Sequence, residues 1–127
     1  MKKSYEHYKM LLHVDDDPET LKAVKTLLVK EGFNVETAGN GTEALKKVTK
    51  KKYDLVLLDV MMPTLSGWDV FERIRKMKQQ PKVIFLTVLE VSKERLETLK
   101  NAGIADYITK PFDNEDFIRR IKKALEG

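Results

Sequence analysis

Six residues of this chain could do chemistry together, although they lie far apart along it. Asp15, Asp16 and Asp17 stand in a row, Asp59 follows one apolar run, and Thr87 and Lys110 each close another. Clustered carboxylates repel one another. Two of them ~4 Å apart cost about 4 kcal/mol at an effective dielectric near 20. Such a cluster raises its own pKa values or holds a cation. Oxygen donors without His or Cys suit a hard divalent ion, Mg²⁺ first and Mn²⁺ second. Lys110 adds a point charge and Thr87 a hydroxyl donor. With a metal, they would neutralise phosphoryl oxygens, which is most of what phosphoryl-transfer catalysis requires. Asp59 is then the natural nucleophile, forming an aspartyl phosphate.

These residues can meet only if the chain brings the ends of several strands to one edge. The apolar pattern does so. Runs at 10–14, 33–38, 55–58, 83–86 and 104–108 read as five strands, the second alternating like a less buried edge. Those at 55–58 and 83–86 are wholly apolar, the pattern of strands covered on both faces. Helices fill the gaps. Asp17-Pro18 starts one that carries Leu21, Val24, Leu27 and Leu28 and that Gly32 stops. Asn40 and Glu43 form a capping box for the second. Ser66 and Asp69 cap the third, with Phe71, Ile74 and Met77 inward. Ser92 opens the fourth, with Leu96 and Leu99, closed near Gly103. Asp113 caps the fifth, with Phe117, Ile121 and Leu125 inward.

Alternation of this kind predicts an α/β fold: a doubly wound, flavodoxin-like (βα)5 domain with a five-stranded parallel sheet in the order 2-1-3-4-5. In that order strands one and three are neighbours. Asp59 therefore falls beside Asp15 and Asp16 at the carboxyl edge, where such sheets bind ligands. One domain over 1–127, with its core at about 9–125, is expected. The last helix runs to the end of the sequence, so a stand-alone unit is expected.

The composition narrows the classes. There is no cysteine, hence no disulfide framework and no thiolate metal site. No apolar run approaches the ~20 residues of a membrane span, and no apolar stretch follows Lys2 and Lys3 to make a signal peptide. A cytoplasmic protein without membrane insertion is expected. Charged residues make up 35%, an excess that leans towards a heat-adapted source. The formal net charge is +4, with Lys46, Lys47, Lys50, Lys51 and Lys52 in one stretch. That stretch reads as a solvated helix end complementing the dipole, not as a nucleic-acid patch.

Four motifs carry a family resemblance. Val14-Asp15-Asp16-Asp17-Pro18, Leu57-Leu58-Asp59-Val60-Met61-Met62-Pro63, Leu86-Thr87 and Tyr107-Ile108-Thr109-Lys110-Pro111-Phe112 resemble the CheY-like receiver domains of two-component response regulators. Their order and spacing make the resemblance specific, and it covers about Lys9 to Leu125. It implies that Asp59 is the phosphoacceptor. Asp16 and Asp59 would bind Mg²⁺ directly, with the Met61 carbonyl as a backbone ligand and Asp15 acting through a metal-bound water. Thr87 and Lys110 would hold the phosphoryl group. Thr87 and Tyr107 would form the switch, Tyr107 turning inward as Thr87 moves towards the phosphate. The Lys110-Pro111 bond would be cis. The donor would be a sensor histidine kinase or a phosphotransfer protein. The target would be a downstream protein on the helix 4–strand 5–helix 5 face, with no direct DNA binding. The chain would be no enzyme beyond its own phosphorylation and dephosphorylation.

Other readings are weaker. A hydrolase with an Asp nucleophile would carry a second Asp where Met61 stands. A flavin or nucleotide site would need a Gly-rich loop where Asp15-Asp16 stands. A constitutive module with a dead site would have lost Asp16, Asp59 or Lys110. Val88 stands where relatives carry a very small residue, and with Met61 and Leu89 it would screen the pocket from water. His13 reads as a packed, hydrogen-bonded strand histidine, Trp68 as packing at a helix start, and Pro63 and Gly67 as shaping a loop.

Overall fold

The computed structural model describes residues 9–126. The reading of the first residues as lacking a signal peptide lies outside the described residues. Strands and helices alternate in the order β1 (Met10–Val14), α1 (Pro18–Lys30), β2 (Asn34–Ala38), α2 (Gly41–Lys50), β3 (Leu55–Leu58), α3 (Gly67–Ile74), β4 (Lys82–Thr87), α4 (Lys93–Asn101), β5 (Asp106–Thr109) and α5 (Asn114–Glu126). All four strand pairings are parallel, and the sheet order is β2-β1-β3-β4-β5. This is the order predicted from the alternation.

Period-two side-chain alternation divides the core into two layers. Leu11, Leu55, Leu57, Ile84, Leu86 and Ile108 face α1 and α5, where Val24, Leu28, Phe117 and Ile121 complete the layer. Leu12, Val14, Val56, Leu58, Val83 and Phe85 face α2, α3 and α4. Burial on both faces is why β3 and β4 are uniformly apolar. Gly32 and Gly103 end their helices with φ of 98° and 113°, where a Cβ would be strained.

Several boundaries differ from the pattern reading. β5 starts at Asp106, because Ile104 is still turning off α4, its N–H bonded to the Leu99 carbonyl. Met77 lies past the end of α3. At α2 the Asn40 side chain accepts from the Glu43 N–H as a cap should, but Glu43 accepts from the Gly39 N–H, one residue before the cap. Ser66 and Asp69 make the full reciprocal box at α3. Asp17 holds the N-cap position, and its carboxylate takes the Thr20 hydroxyl at 2.6 Å.

Candidate functional site

The carboxyl edge of the sheet gathers what the motifs scatter. β1 delivers Asp15 and Asp16, β3 delivers Asp59, β4 ends at Thr87, and Lys110 follows β5. The Asp59 N–H bonds to the Val14 carbonyl at 3.0 Å, which locks the two acidic turns side by side. Carboxylate oxygens of Asp15, Asp16 and Asp59 lie within 4.8 Å of one another. Asp15 and Asp59 are 1% and 6% exposed, while Asp16 is open to solvent. Lys110 crosses the sheet to this group. Its Nζ is 2.8 Å from Asp15 Oδ2 and 3.9 Å from Asp59 Oδ2. The Lys110-Pro111 peptide is cis, as the resemblance implies.

Burial dominates the electrostatics of Asp59 and raises its pKa above the ordinary carboxylate value. A hydrogen bond with Thr87 and the Lys110 charge work against that rise, and the neighbouring Asp15 adds to it. Asp59 Oδ1 accepts from the Met61 N–H at 3.2 Å. Asp15 accepts from the Asp17 N–H at 2.9 Å, which leaves Oδ2 for Lys110. The donor set is therefore three carboxylates at one open-sided corner, with a lysine that contacts Asp15 and Asp59. Oxygen ligands with one exposed member fit a hard divalent cation that keeps several waters.

The loop between β3 and α3 folds back under Asp59. The Gly67 N–H bonds to the Val60 carbonyl at 2.9 Å. A Cβ on Gly67 would lie 2.2 Å from the Asp59 carbonyl oxygen and 2.8 Å from the Val60 Cα, so only glycine allows the approach. Loop-shaping by Gly67 was legible; its contact with the Asp59 backbone was not.

Tyr107 is buried, its hydroxyl donating to the Leu89 carbonyl at 2.6 Å. The Leu89 N–H in turn bonds to Thr87 Oγ1 at 3.3 Å. Burial raises the Tyr107 pKa, so the phenol keeps the proton it donates. Trp68 packs as expected, its ring centroid 4.8 Å from that of Phe85. Sequence reasoning missed the partner outside it: the Arg95 guanidinium carbon is 5.0 Å from the Trp68 ring centroid. No spacing rule links α3 to α4, so no sequence signal announced the pair.

One reading is corrected. His13 is fully buried, but neither ring nitrogen has a hydrogen-bond partner among the described residues. β1 seats it between Thr37 and Leu57, and burial lowers its pKa to about 4. Met61 and Val88 are 55% and 59% exposed, and Leu89 is half-buried. In the lysine stretch, Lys47 donates to the Thr37 carbonyl and Lys51 pairs with Glu36, which also accepts the Tyr53 hydroxyl.

Among the described residues no helix is long and apolar enough to cross a membrane. The family model "Response regulator receiver domain" matches residues 11–122. A relative from Haemophilus influenzae, described as a homolog of the transcriptional regulatory protein CpxR, is 47% identical over 115 residues. The match covers 91% of this chain and 49% of that protein. A probable transcriptional regulator from Porphyra purpurea, ycf29, is 38% identical over 93% of this chain and 56% of its own length. The chain thus spans about half the length of the curated relatives it matches. Among solved structures, the response regulator TrrA of Thermotoga maritima, in complex with Mg²⁺-BeF, is 39% identical with a TM-score of 0.82, covering 92% of this chain and 99% of that one. Chemotaxis protein CheY4 of Vibrio cholerae is 31% identical with a TM-score of 0.84, covering 92% and 98%.

Proposed function

Because this chain belongs to the response regulator receiver family, the phosphorylation-dependent switches of two-component signalling, we propose that Asp59 is its phosphoacceptor and that Asp15, Asp16, Thr87 and Lys110 serve that one residue. The observation that carries the proposal is the meeting of three carboxylates within 4.8 Å with a lysine Nζ 3.9 Å from Asp59. Asp16 and Asp59 would hold Mg²⁺ directly, with the Met61 carbonyl, and Asp15 would act through a bound water. The ion supplies positive charge to the phosphoryl oxygens during transfer.

The chain's own groups do the rest. An Asp59 carboxylate oxygen attacks the phosphorus of a phosphohistidine on a sensor kinase or phosphotransfer protein. The new P–O bond forms as the P–N bond breaks, and the electron pair stays on the departing histidine nitrogen. Lys110 exchanges its contact with Asp15 for a phosphoryl oxygen. Thr87, which ends β4 at the same edge, donates to another. Any shift of Thr87 reaches Leu89, and through it Tyr107, by the two hydrogen bonds described above. The readout surface is α4, β5 and α5, where a downstream protein would bind. Apart from its own phosphorylation and dephosphorylation the domain turns over no substrate, and we place it in the cytoplasm.

The test is incubation with Mg²⁺ and acetyl phosphate, followed by intact mass. The parent should gain one phosphoryl group and Asp59→Asn none. An unmodified parent, or an Asn variant that still gains the mass, overturns the assignment.

A further inference from the structure

Arg95 sits where helix electrostatics disfavours it. It is the third residue of α4, capped there by Ser92, and the positive end of the helix dipole repels a cation in the first turn. Its guanidinium instead covers the ring of Trp68 on α3. That ring rests on Phe85, and Phe85 rests on Tyr107 with 5.9 Å between centroids. A continuous stack therefore runs from the solvent face of α4, through the core, to the tyrosine that bonds Leu89.

The β4–α4 segment hangs between these contacts. Inside, Leu89 is held by Tyr107 and Thr87. Outside, Arg95 ties the first turn of α4 to Trp68. Val91 and Leu96 pack half-buried against the core and Leu99 is buried, while Lys93, Glu94 and Arg95 of the first turn are exposed. An exposed contact in that turn thus has leverage over where the turn lies.

We propose that Arg95 is a positioning residue for the phosphorylation site: seated on Trp68, it holds the β4–α4 segment where Tyr107 reaches Leu89 and Thr87 faces Asp59, and so favours the phosphoryl-bound state. The inference rests on Asp59 being the acceptor. A ligand that binds one of two conformations loses affinity in proportion to the population of the competent one. An exposed cation–π contact alters such a population about two- to five-fold.

The experiment is calorimetric titration of the full 127-residue chain with beryllofluoride at saturating Mg²⁺. Arg95→Ala should bind about two- to five-fold more weakly than the parent. On a Trp68→Leu background the same substitution should cause no further loss, because the ring that seats the cation is gone. Equal affinity in parent and Arg95→Ala overturns the clamp, as does a loss of the same size on both backgrounds. A lowered melting temperature with unchanged affinity makes Arg95 merely structural and overturns it too. A parent that takes up no beryllofluoride fails earlier, at the assignment of Asp59, and is told apart by that.

Discussion

The two walls of the pocket are built on different plans. On one side, β3 passes into α3 through main-chain bonds: Met62 and Gly67 both donate to the Val60 carbonyl, and Leu65 donates to the Pro63 carbonyl. A reciprocal capping box follows, and α3 buries Gly67, Val70, Phe71 and Ile74 within eight residues. On the other side, β4 passes into α4 through side-chain contacts. Leu89 is held by Thr87 and by Tyr107 of β5, and Arg95 leans on Trp68 of α3. Main-chain closure fixes a wall in place. Side-chain suspension leaves a wall that can settle in more than one position, and ligands shift such equilibria only through contacts that differ between the positions. On the proposed reading, the acceptor would belong to the fixed wall and the readout to the suspended one.

The largest break in this contrast should come from Gly67→Ala. The new Cβ collides with main chain on both sides, so the loss should reach at least about 3 kcal/mol, at or beyond the upper end of ordinary overpacking. Urea denaturation measures it, and a loss under about 1 kcal/mol would mean the fixed wall yields.

β1, paired with β3 beside that wall, should also carry a pH dependence. Folded His13 protonates only near pH 4, with Asp15 favouring and Lys110 opposing the charge, against 6.5 for an unperturbed histidine. Between these values the unfolded chain binds more protons. Stability should therefore fall as pH drops from about 6.5 to about 4, by roughly 3 kcal/mol in total. Urea unfolding of His13→Leu across this window should show a shallower slope than the parent. Parallel slopes would remove His13 as the cause.

Metal should bear on the acidic corner next. At a Mg²⁺ concentration of 100 times its dissociation constant, the parent should gain about 2.7 kcal/mol. Asp16→Ala and Asp59→Asn should each lose most of that gain. Thermal melts with and without Mg²⁺ decide it, and an undiminished shift in both variants would place the ion elsewhere. Without metal, Asp59→Asn should be the more stable protein at neutral pH, since burial makes the ionised Asp59 unfavourable.

The smallest effect sharpens the contrast directly. Loss of either serine cap costs about 1 kcal/mol locally. Ser66→Ala should lower global stability by that amount, because α3 unfolds with the core. Ser92→Ala should leave the global midpoint nearly unchanged and speed amide exchange in α4 alone. Equal shifts of the midpoint in both would show that α4 is as firmly held as α3.

Much of this was written along the chain. The alternation of two-faced apolar runs with capped helical patterns dictates a parallel sheet and its order, because each signal is local and repeats five times. The same runs end in Asp15, Asp16, Asp59, Thr87 and Lys110, so a shared edge follows from topology alone. What folding decided lies between elements. Lys110 sits closer to Asp15 than to Asp59. Glu43 reaches Gly39 instead of closing its own box, His13 ends without a hydrogen-bond partner among the described residues, and Arg95 finds Trp68. Each of these is settled by angles and separations of a few ångströms between segments packed by the whole core. Residue type and spacing record which elements form and which side chains share a face, whereas the distance across a gap is set only once every neighbour has been placed.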